Sequence, residues 1–398
     1  MSEFTGFVII LASGLFFSEV FKRLHLPYVV ALIIAGIVIG PLGLSLIELT
    51  PSIIFLGSVG AVFVMFMAGM EVRTELLKRI RKKLVLLVLL NGGIPAIVGF
   101  SIVFLFGYEI ITAMIVATIF ISSSIAIIIP TLEEKNMLSS DIGSVIIGAT
   151  IIEDLGSLFL LSIILQSSDP TTFLPLPVFV VIVAISALFL KWLLPRFENW
   201  FFAKKFRGRF EEEFQFVLIV TIAVTVFFDF LGVHAIVAGF LVGLILSESI
   251  KNRKIESKLH AISYGLFIPI FLLEIGIETD LTVLLNAGGT VFLMITIIVG
   301  LITSKLLSGY FAGRLIGFQK RNNILIGAAS IPQLSTSLAV AFTALELGFI
   351  DSSLQVSIVL LSMITVLIAP LLIGFLILPK KVSAESDSTA TKDLESKG

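Results

Sequence analysis

Two adjacent acids, Glu153 and Asp154, lie inside the long apolar segment DIGSVIIGATIIEDLGSLFLLSIIL. They follow its first residue by about 12 positions, which is roughly 18 Å along a helix and near the middle of a bilayer. An ionisable residue at that depth costs at least about 2.5 to 3.5 kcal/mol, so a buried pair indicates function. Consecutive helical residues point about 100° apart, so one acid can face an ion while the other faces a neighbouring helix. Because desolvation favours the protonated acid, protons and a hard cation such as sodium can compete for Asp154.

Thr150 and three consecutive serines could add oxygen ligands. Thr150 lies four residues before Asp154 on the same helical face, although a helix-capping or packing role is the more common one for a lone threonine. The segment FISSSIAIIIP (120–130) contains Ser122, Ser123 and Ser124. Since hydroxyl groups compete for backbone hydrogen bonds, we expect the helix to break at these serines.

A second break is expected in the segment AASIPQLSTSL (328–338), which contains Pro332 and Gln333. Proline removes a backbone donor, and a lone proline would be explained by a kink. Two interruptions at corresponding positions argue against that explanation. At membrane depth, unwound backbone is tolerated only where it lines a cavity or packs inside protein.

Lys305 also lies deep in an apolar segment, nine residues before Arg314. That separation is about 13 Å along a helix, more than a lysine reaches by snorkelling, so we predict an ion pair with the helix that carries Glu153. Glu71, Glu274 and Glu278 fall near predicted helix ends, where solvated interfacial residues are common. We keep a contact with the site as a possibility for Glu71 alone.

Composition predicts a multi-pass membrane protein, because 57% of the residues are hydrophobic and they occur in runs long enough to span a bilayer. The chain has no cysteine and only three scattered histidines, which excludes thiol chemistry and a histidine metal site. We expect no enzyme activity, no cofactor beyond the transported ions, and no nucleic-acid partner. An intramembrane aspartyl protease is a remote alternative, because its two acids should come from different helices.

Gly, Pro and charged clusters divide the chain into thirteen predicted transmembrane helices, which we call spans 1 to 13. All but one of the 27 lysines and arginines then fall on one face, which the positive-inside rule makes cytoplasmic. The N-terminus is therefore expected outside and the C-terminus inside the plasma membrane. The polar segment 382–398 is expected to be a disordered cytoplasmic tail. In order, the spans cover 5–21, 28–44, 53–70, 84–106, 109–131, 142–166, 173–195, 214–230, 232–248, 261–277, 288–313, 322–346 and 353–378.

The two halves of the chain resemble each other. FVMFMAGMEVRTELL (63–77) aligns with FIPIFLLEIGIETDLTVLL (267–285), and PYVVALIIAGIVIGP (27–41) aligns with VHAIVAGFLVGLILSE (233–248). We predict one all-helical transporter unit in which repeat one (5–166) and repeat two (214–378) are joined by a linking helix (173–195). A shift of seven spans inverts the second repeat. Inverted repeats with broken helices are typical of secondary transporters, although repeats also occur in channels.

In PYVVALIIAGIVIGP, FMAGMEV and VAGFLVGLILSES, the chain resembles the monovalent cation/proton antiporter-2 family over nearly all of residues 5–378. The resemblance implies a homodimer whose protomers each contain a mobile core around the crossed, broken spans 5 and 12, with elevator-type transport. It places Asp154 at the ion- and proton-binding aspartate and Lys305 at a lysine that pairs with the preceding acid. Glu153 departs from the family, which has Asp, Asn or Gln at that position.

The sequence therefore predicts a secondary active sodium/proton antiporter that is electrogenic. A potassium/proton antiporter is the alternative in substrate, and a gated cation channel is the more remote alternative in class. The residue types do not separate sodium from potassium or lithium, since all are bound by oxygen ligands.

Overall fold

The computed structural model describes residues 3–24, 27–71, 82–135, 137, 140–168, 175–204, 210–249, 253–286 and 288–377. These residues form helices joined by short connections, without a β-strand among them. A single π-helical turn, Ser263–Phe267, joins the helix Arg253–Ile262 to the helix Ile268–Glu278. The helices are α1 (Glu3–Arg23), α2 (Tyr28–Ile39), α3 (Pro51–Met70), α4 (Lys82–Leu105), α5 (Ile110–Ile121), α6 (Ile125–Glu134), α7 (Asp141–Ser168), α8 (Leu176–Lys204), α9 (Phe210–Phe230), α10 (Ala235–Ser249), α11 (Arg253–Ile262), α12 (Ile268–Glu278), α13 (Val283–Asn286), α14 (Gly288–Ile316), α15 (Lys320–Ala329), α16 (Ser335–Glu346) and α17 (Ser352–Ile377).

In the described part of the chain, 9 segments are long and apolar enough to cross a membrane, counting α5 and α6 together as one. Three shorter apolar helices, Tyr28–Ile39, Gln215–Phe230 and Ala235–Ser247, accompany them. The all-helical membrane fold is thus confirmed, whereas the count of thirteen spans stays a prediction. The expected tail 382–398 and most of the basic segment between α3 and α4 lie outside the described residues.

The helices pack in two groups that share few contacts. In the first group, α3 packs against α10 and α12, and α2 packs against α12. In the second, α4 and α14 pack against each other and flank the interrupted helices α5/α6 and α15/α16, together with α7 and α17. The main links between the groups run from α16 to α3 and from α7 to α10. The site helices therefore belong to one group.

Glycines allow the closest approaches within the first group. A Cβ atom on Gly36 would lie 2.1 Å from the Leu273 carbonyl oxygen, and one on Gly243 would lie 2.0 Å from the Phe66 carbonyl oxygen. Any larger residue would push the backbones apart, so these glycines determine the contacts of α2 with α12 and of α10 with α3.

Both predicted breaks are present, and they lie against each other. The first break, Ser122–Ser124, separates α5 from α6, and the second break, Ser330–Leu334, separates α15 from α16. The backbone N–H of Ser124 donates to the Pro332 carbonyl at 2.8 Å. Each break thus satisfies backbone groups of the other, which answers the requirement that free backbone groups at membrane depth find partners inside protein.

Candidate cation and proton site

Glu153 and Asp154 lie in the middle of α7 and are 1% and 2% exposed. They face different neighbours, as expected of consecutive helical residues. Glu153 points to α4, α14 and the first break, whereas Asp154 points to the first turn of α16. One helix thus presents two carboxylates to two different environments.

Three side chains donate to the Glu153 carboxylate. Asn91 Nδ2 lies 2.9 Å from Oε1, while Ser123 Oγ and Lys305 Nζ both lie 3.3 Å from Oε2. The Lys305–Glu153 contact is an ion pair between two completely buried side chains. Both carboxylate oxygens are engaged, so Glu153 has the partners that a buried charge needs.

Lys305 is also bonded to backbone. Its ammonium donates to the Ile121 carbonyl at 2.7 Å, to the Asn91 carbonyl at 3.3 Å and to Ser123 Oγ at 3.2 Å. Ile121 is the last residue of α5, so its carbonyl has no partner within the helix. The ammonium lies at the negative end of that helix dipole, which stabilises a buried cation.

Asp154 has a sparser set of donors. Thr336 Oγ1 lies 3.4 Å from Oδ1, and the Ser123 backbone lies within hydrogen-bonding reach of the carboxylate. Because Thr336 is the second residue of α16, Asp154 lies beside the positive end of that helix. The environment accommodates a negative charge but leaves acceptor capacity on Asp154 for a cation or a proton.

The other predicted residues divide between the breaks and their own helices. Ser122 and Gln333 tie the breaks together, since Gln333 Nε2 donates to the Ser122 carbonyl at 2.8 Å. The Thr150 hydroxyl donates to Ile146 of its own helix at 3.1 Å and does not contact Asp154. Ser124 Oγ is buried without a hydrogen-bond partner among the described residues. Only Ser123 of the three serines touches Glu153 directly.

Sequence reasoning missed Asn91, Ser308, Ser330 and Thr336. The most informative omission is Asn91, a 1% exposed residue of α4 whose side chain contacts Glu153, Ser308 and Ser330. A signal for it was present, because an amide inside the apolar run LVLLNGGIPAIVGF needs a buried partner. The serines and threonine carried no such signal, since hydroxyl groups in apolar helices commonly bond to their own backbone.

The family model described as "Sodium/hydrogen exchanger, transmembrane" matches residues 7–378 of the chain. The chain belongs to this exchanger family. The chain is 33% identical to the probable Na⁺/H⁺ antiporter 3 of Methanocaldococcus jannaschii over 95% of its own length and 98% of the relative's. It is 25% identical to the Na⁺/H⁺-K⁺ antiporter GerN of Bacillus cereus, covering 92% of this chain and 94% of GerN.

A solved structure of the sodium proton antiporter MjNhaP1 from Methanocaldococcus jannaschii has a similar fold. The TM-score is 0.72 with 18% sequence identity, covering 94% of this chain and 97% of the other. The identity is low, so this likeness concerns the fold and not the ion.

A cavity of about 430 Å³, a volume that includes open space at its entrance, lies between the two helix groups. Its lining is mostly apolar and includes Glu71, Tyr264, Leu334 of the second break and Ser335, the first residue of α16. Glu71 immediately follows α3, and it is not among the hydrogen-bond partners of Glu153 and Asp154. Burial raises the pKa of Glu71 to about 7, and a hydrogen bond from Tyr264 opposes that rise.

The interpretation of Glu274 as a solvated interfacial residue is wrong. Its side chain is completely buried, and both carboxylate oxygens are without a hydrogen-bond partner in the described part of the chain. The carboxylate lies against Gly57 of α3, where a Cβ atom would come within 1.3 Å of Oε2. A glutamate near a helix end became buried because α3 offers no side chain at that position. Glu278, one turn later, is partly buried.

Proposed function

We propose that this chain exchanges sodium for protons across a membrane and that Asp154 binds both ions in turn. The observation that carries the proposal is the position of Asp154, buried beside the first turn of α16 with few hydrogen-bond donors. Membership of the exchanger family and the similarity to Na⁺/H⁺ antiporters support the choice of ions.

Competition at Asp154 explains coupling. Carboxylate, hydroxyl and backbone oxygens are ligands suited to a hard cation, and a proton neutralises the same carboxylate. With either ion bound, the local charge is reduced and the second helix group can move. With neither bound, a bare carboxylate would have to move past an apolar barrier, at a cost that prevents uncoupled cycling.

The packing of the helices supports an elevator-type cycle. Few contacts join the group that carries the site to the group built on α2, α3, α10 and α12. A rigid movement of one group past the other therefore breaks little packing. We propose a homodimer in which the first group is fixed and the second carries the ion, and we propose that transport is electrogenic.

Potassium/proton exchange is the second candidate. The observation that favours it is the similarity to GerN, whose name includes both sodium and potassium. A gated cation channel fits less well, because both breaks are closed by mutual hydrogen bonds around buried charges.

We propose that the protein lies in the plasma membrane. The positive-inside rule supports an orientation with the N-terminus outside and the C-terminus in the cytoplasm. A cysteine introduced at Ser168 should then react with an impermeant reagent applied from outside. One introduced at Lys82 should react only after permeabilisation. The reverse labelling pattern would overturn this orientation.

Reconstituted protein tests the function directly. In proteoliposomes containing a pH-sensitive dye, an inward sodium gradient should drive proton efflux, and potassium and lithium gradients measure selectivity. A response to potassium alone would replace sodium by potassium in the proposal. Unitary current steps in a planar bilayer would support a channel instead.

A further inference from the structure

We propose that Asn91 is a positioning residue that holds Glu153 against Lys305 and away from the cation bound at Asp154. The inference rests on the proposed sodium/proton exchange and adds a specific determinant to it. In this proposal, a side chain on α4 keeps the two adjacent acids of α7 in different roles, with Glu153 paired to Lys305 and Asp154 binding the ion.

Both polar atoms of the Asn91 side chain form hydrogen bonds, and together they make three. Its amide nitrogen donates to Glu153 Oε1 at 2.9 Å and to Ser330 Oγ at 2.8 Å. Its oxygen accepts from Ser308 Oγ at 3.1 Å. An ionised carboxylate can only accept, so the amide nitrogen must face Glu153, and the orientation of the amide is fixed chemically.

Asn91 contacts both members of the ion pair. Its side chain binds Glu153, while its backbone carbonyl accepts from Lys305 Nζ at 3.3 Å. The contact with Ser330 joins α4 to the start of the second break. Movement of Glu153 away from Lys305 would also break its hydrogen bonds with Asn91 of α4 and Ser123 of the first break.

The need for such a residue follows from the geometry of α7. Glu153 and Asp154 are consecutive, and a glutamate side chain has enough rotatable bonds to turn toward a cation bound at Asp154. With Asn91 on Oε1 and with Ser123 and Lys305 on Oε2, neither oxygen of Glu153 is free. Of these three donors, Lys305 is charged and Ser123 lies in the first break. Asn91 is the one that is neutral and lies outside both breaks.

Exchanging the amide of Asn91 and the carboxylate of Glu153 tests the inference. Asn91→Asp places a second carboxylate against Glu153, so we expect a loss of at least about tenfold in the exchange rate. Glu153→Gln alone removes the carboxylate from Lys305. The double variant Asn91→Asp/Glu153→Gln restores one carboxylate and one amide in contact, so it should fold and unfold at a higher temperature than Asn91→Asp.

Asn323→Asp is the matched control, because Asn323 is also a buried asparagine but packs against Gly313 of α14. Combined with Glu153→Gln it should show no recovery. If Asn91→Asp yields no folded protein, the folded yield of the double variant on size-exclusion chromatography becomes the measurement. A double variant no better than the worse single variant would overturn the inference.

The KM for sodium separates positioning from a general structural role. Asn91→Ala frees Glu153 Oε1 to turn toward the cation at Asp154. The KM for sodium and the maximal rate should therefore both fall by at least about threefold, whereas a general structural loss lowers the rate at an unchanged KM.

A lower rate with an unchanged KM for sodium in Asn91→Ala would also overturn the inference. Wild-type protein in the same proteoliposomes controls for the function itself. If wild type moves no protons in response to sodium, the proposed function fails. If wild type exchanges normally and the two substitutions are additive, only the role of Asn91 fails.

Discussion

Two regions of this protein bury carboxylates in opposite ways. At the midplane, Glu153 and Asp154 lie among hydroxyl, amide and ammonium donors and next to the ends of broken helices. Between α3 and α12, Glu274 is equally buried but has no hydrogen-bond partner among the described residues. Burial is the same, and the surroundings differ.

The difference shows that burial of an acid does not by itself identify an ion site. A working site needs groups that stabilise charge before the ion arrives, and Glu153 and Asp154 receive them from α4, α14, α16 and the first break. Glu274 instead lies against Gly57 of α3, which has no side chain to donate a hydrogen bond. The comparison predicts loss of exchange at the midplane and little loss at Glu274.

Asp154→Asn should have the largest effect. The substitution nearly preserves volume but removes the charge that we propose binds both ions, so sodium-driven proton movement in proteoliposomes should fall to background. The variant should remain folded, as judged by size-exclusion chromatography and thermal unfolding. Sodium-driven exchange retained in folded Asp154→Asn protein would sink the assignment of the ion site.

Glu153→Gln and Lys305→Gln should each be costly, because breaking a buried ion pair leaves one charge without its partner. We expect each single variant to lose about 3 to 5 kcal/mol of stability and the double variant to recover much of it. Thermal unfolding of the four proteins forms a double-mutant cycle that measures the coupling. Additive losses would show that the two residues do not act as a pair.

The same pair tests electrogenicity. If Lys305 loses its proton when sodium binds Asp154, a second proton joins each cycle and exchange in the wild type should respond to an imposed membrane potential. The Glu153→Gln/Lys305→Gln variant should exchange without that response. A wild-type protein indifferent to the potential would refute electrogenic exchange.

Glu71→Gln should have a smaller, pH-dependent effect. Since the pKa of Glu71 is about 7, its carboxylate is neutral below pH 7 and charged above it. A charged group at the cavity attracts cations, so the substitution should raise the KM for sodium by about threefold at pH 8 and leave it unchanged at pH 6. An equal effect at both pH values would show that the charge of Glu71 does not attract sodium to the cavity.

Glu274→Met should have the smallest effect on exchange. It replaces a buried carboxyl group that lacks partners by an apolar side chain of similar size, and should stabilise the protein by about 1 to 3 kcal/mol. Glu153→Met is the matched control and should stop coupled exchange. If Glu274→Met abolished exchange in folded protein, the contrast between the two regions would fail.

Sequence reasoning predicted the parts of the site that local chemistry determines. Serines and a proline in apolar runs predicted the breaks. Charged residues deep in apolar segments predicted that Glu153, Asp154 and Lys305 are buried for a functional reason, because charge is costly in a bilayer. Helix bounds differ modestly from the prediction. The largest differences are at span 7, where the helix ends at Lys204 instead of near residue 195, and at span 10, where helical structure begins at Arg253 instead of near residue 261.

Sequence by itself thus determined an all-helical membrane protein with two acids and a lysine buried in it, since hydropathy and helical periodicity are local properties. Tertiary structure alone decided which acid meets which donor. The bond from Asn91 to Ser330 joins residues 239 positions apart, and the burial of Glu274 depends on the missing side chain of Gly57. Such contacts depend on how helices from distant parts of the chain pack, and packing is a property of shape that no single segment carries.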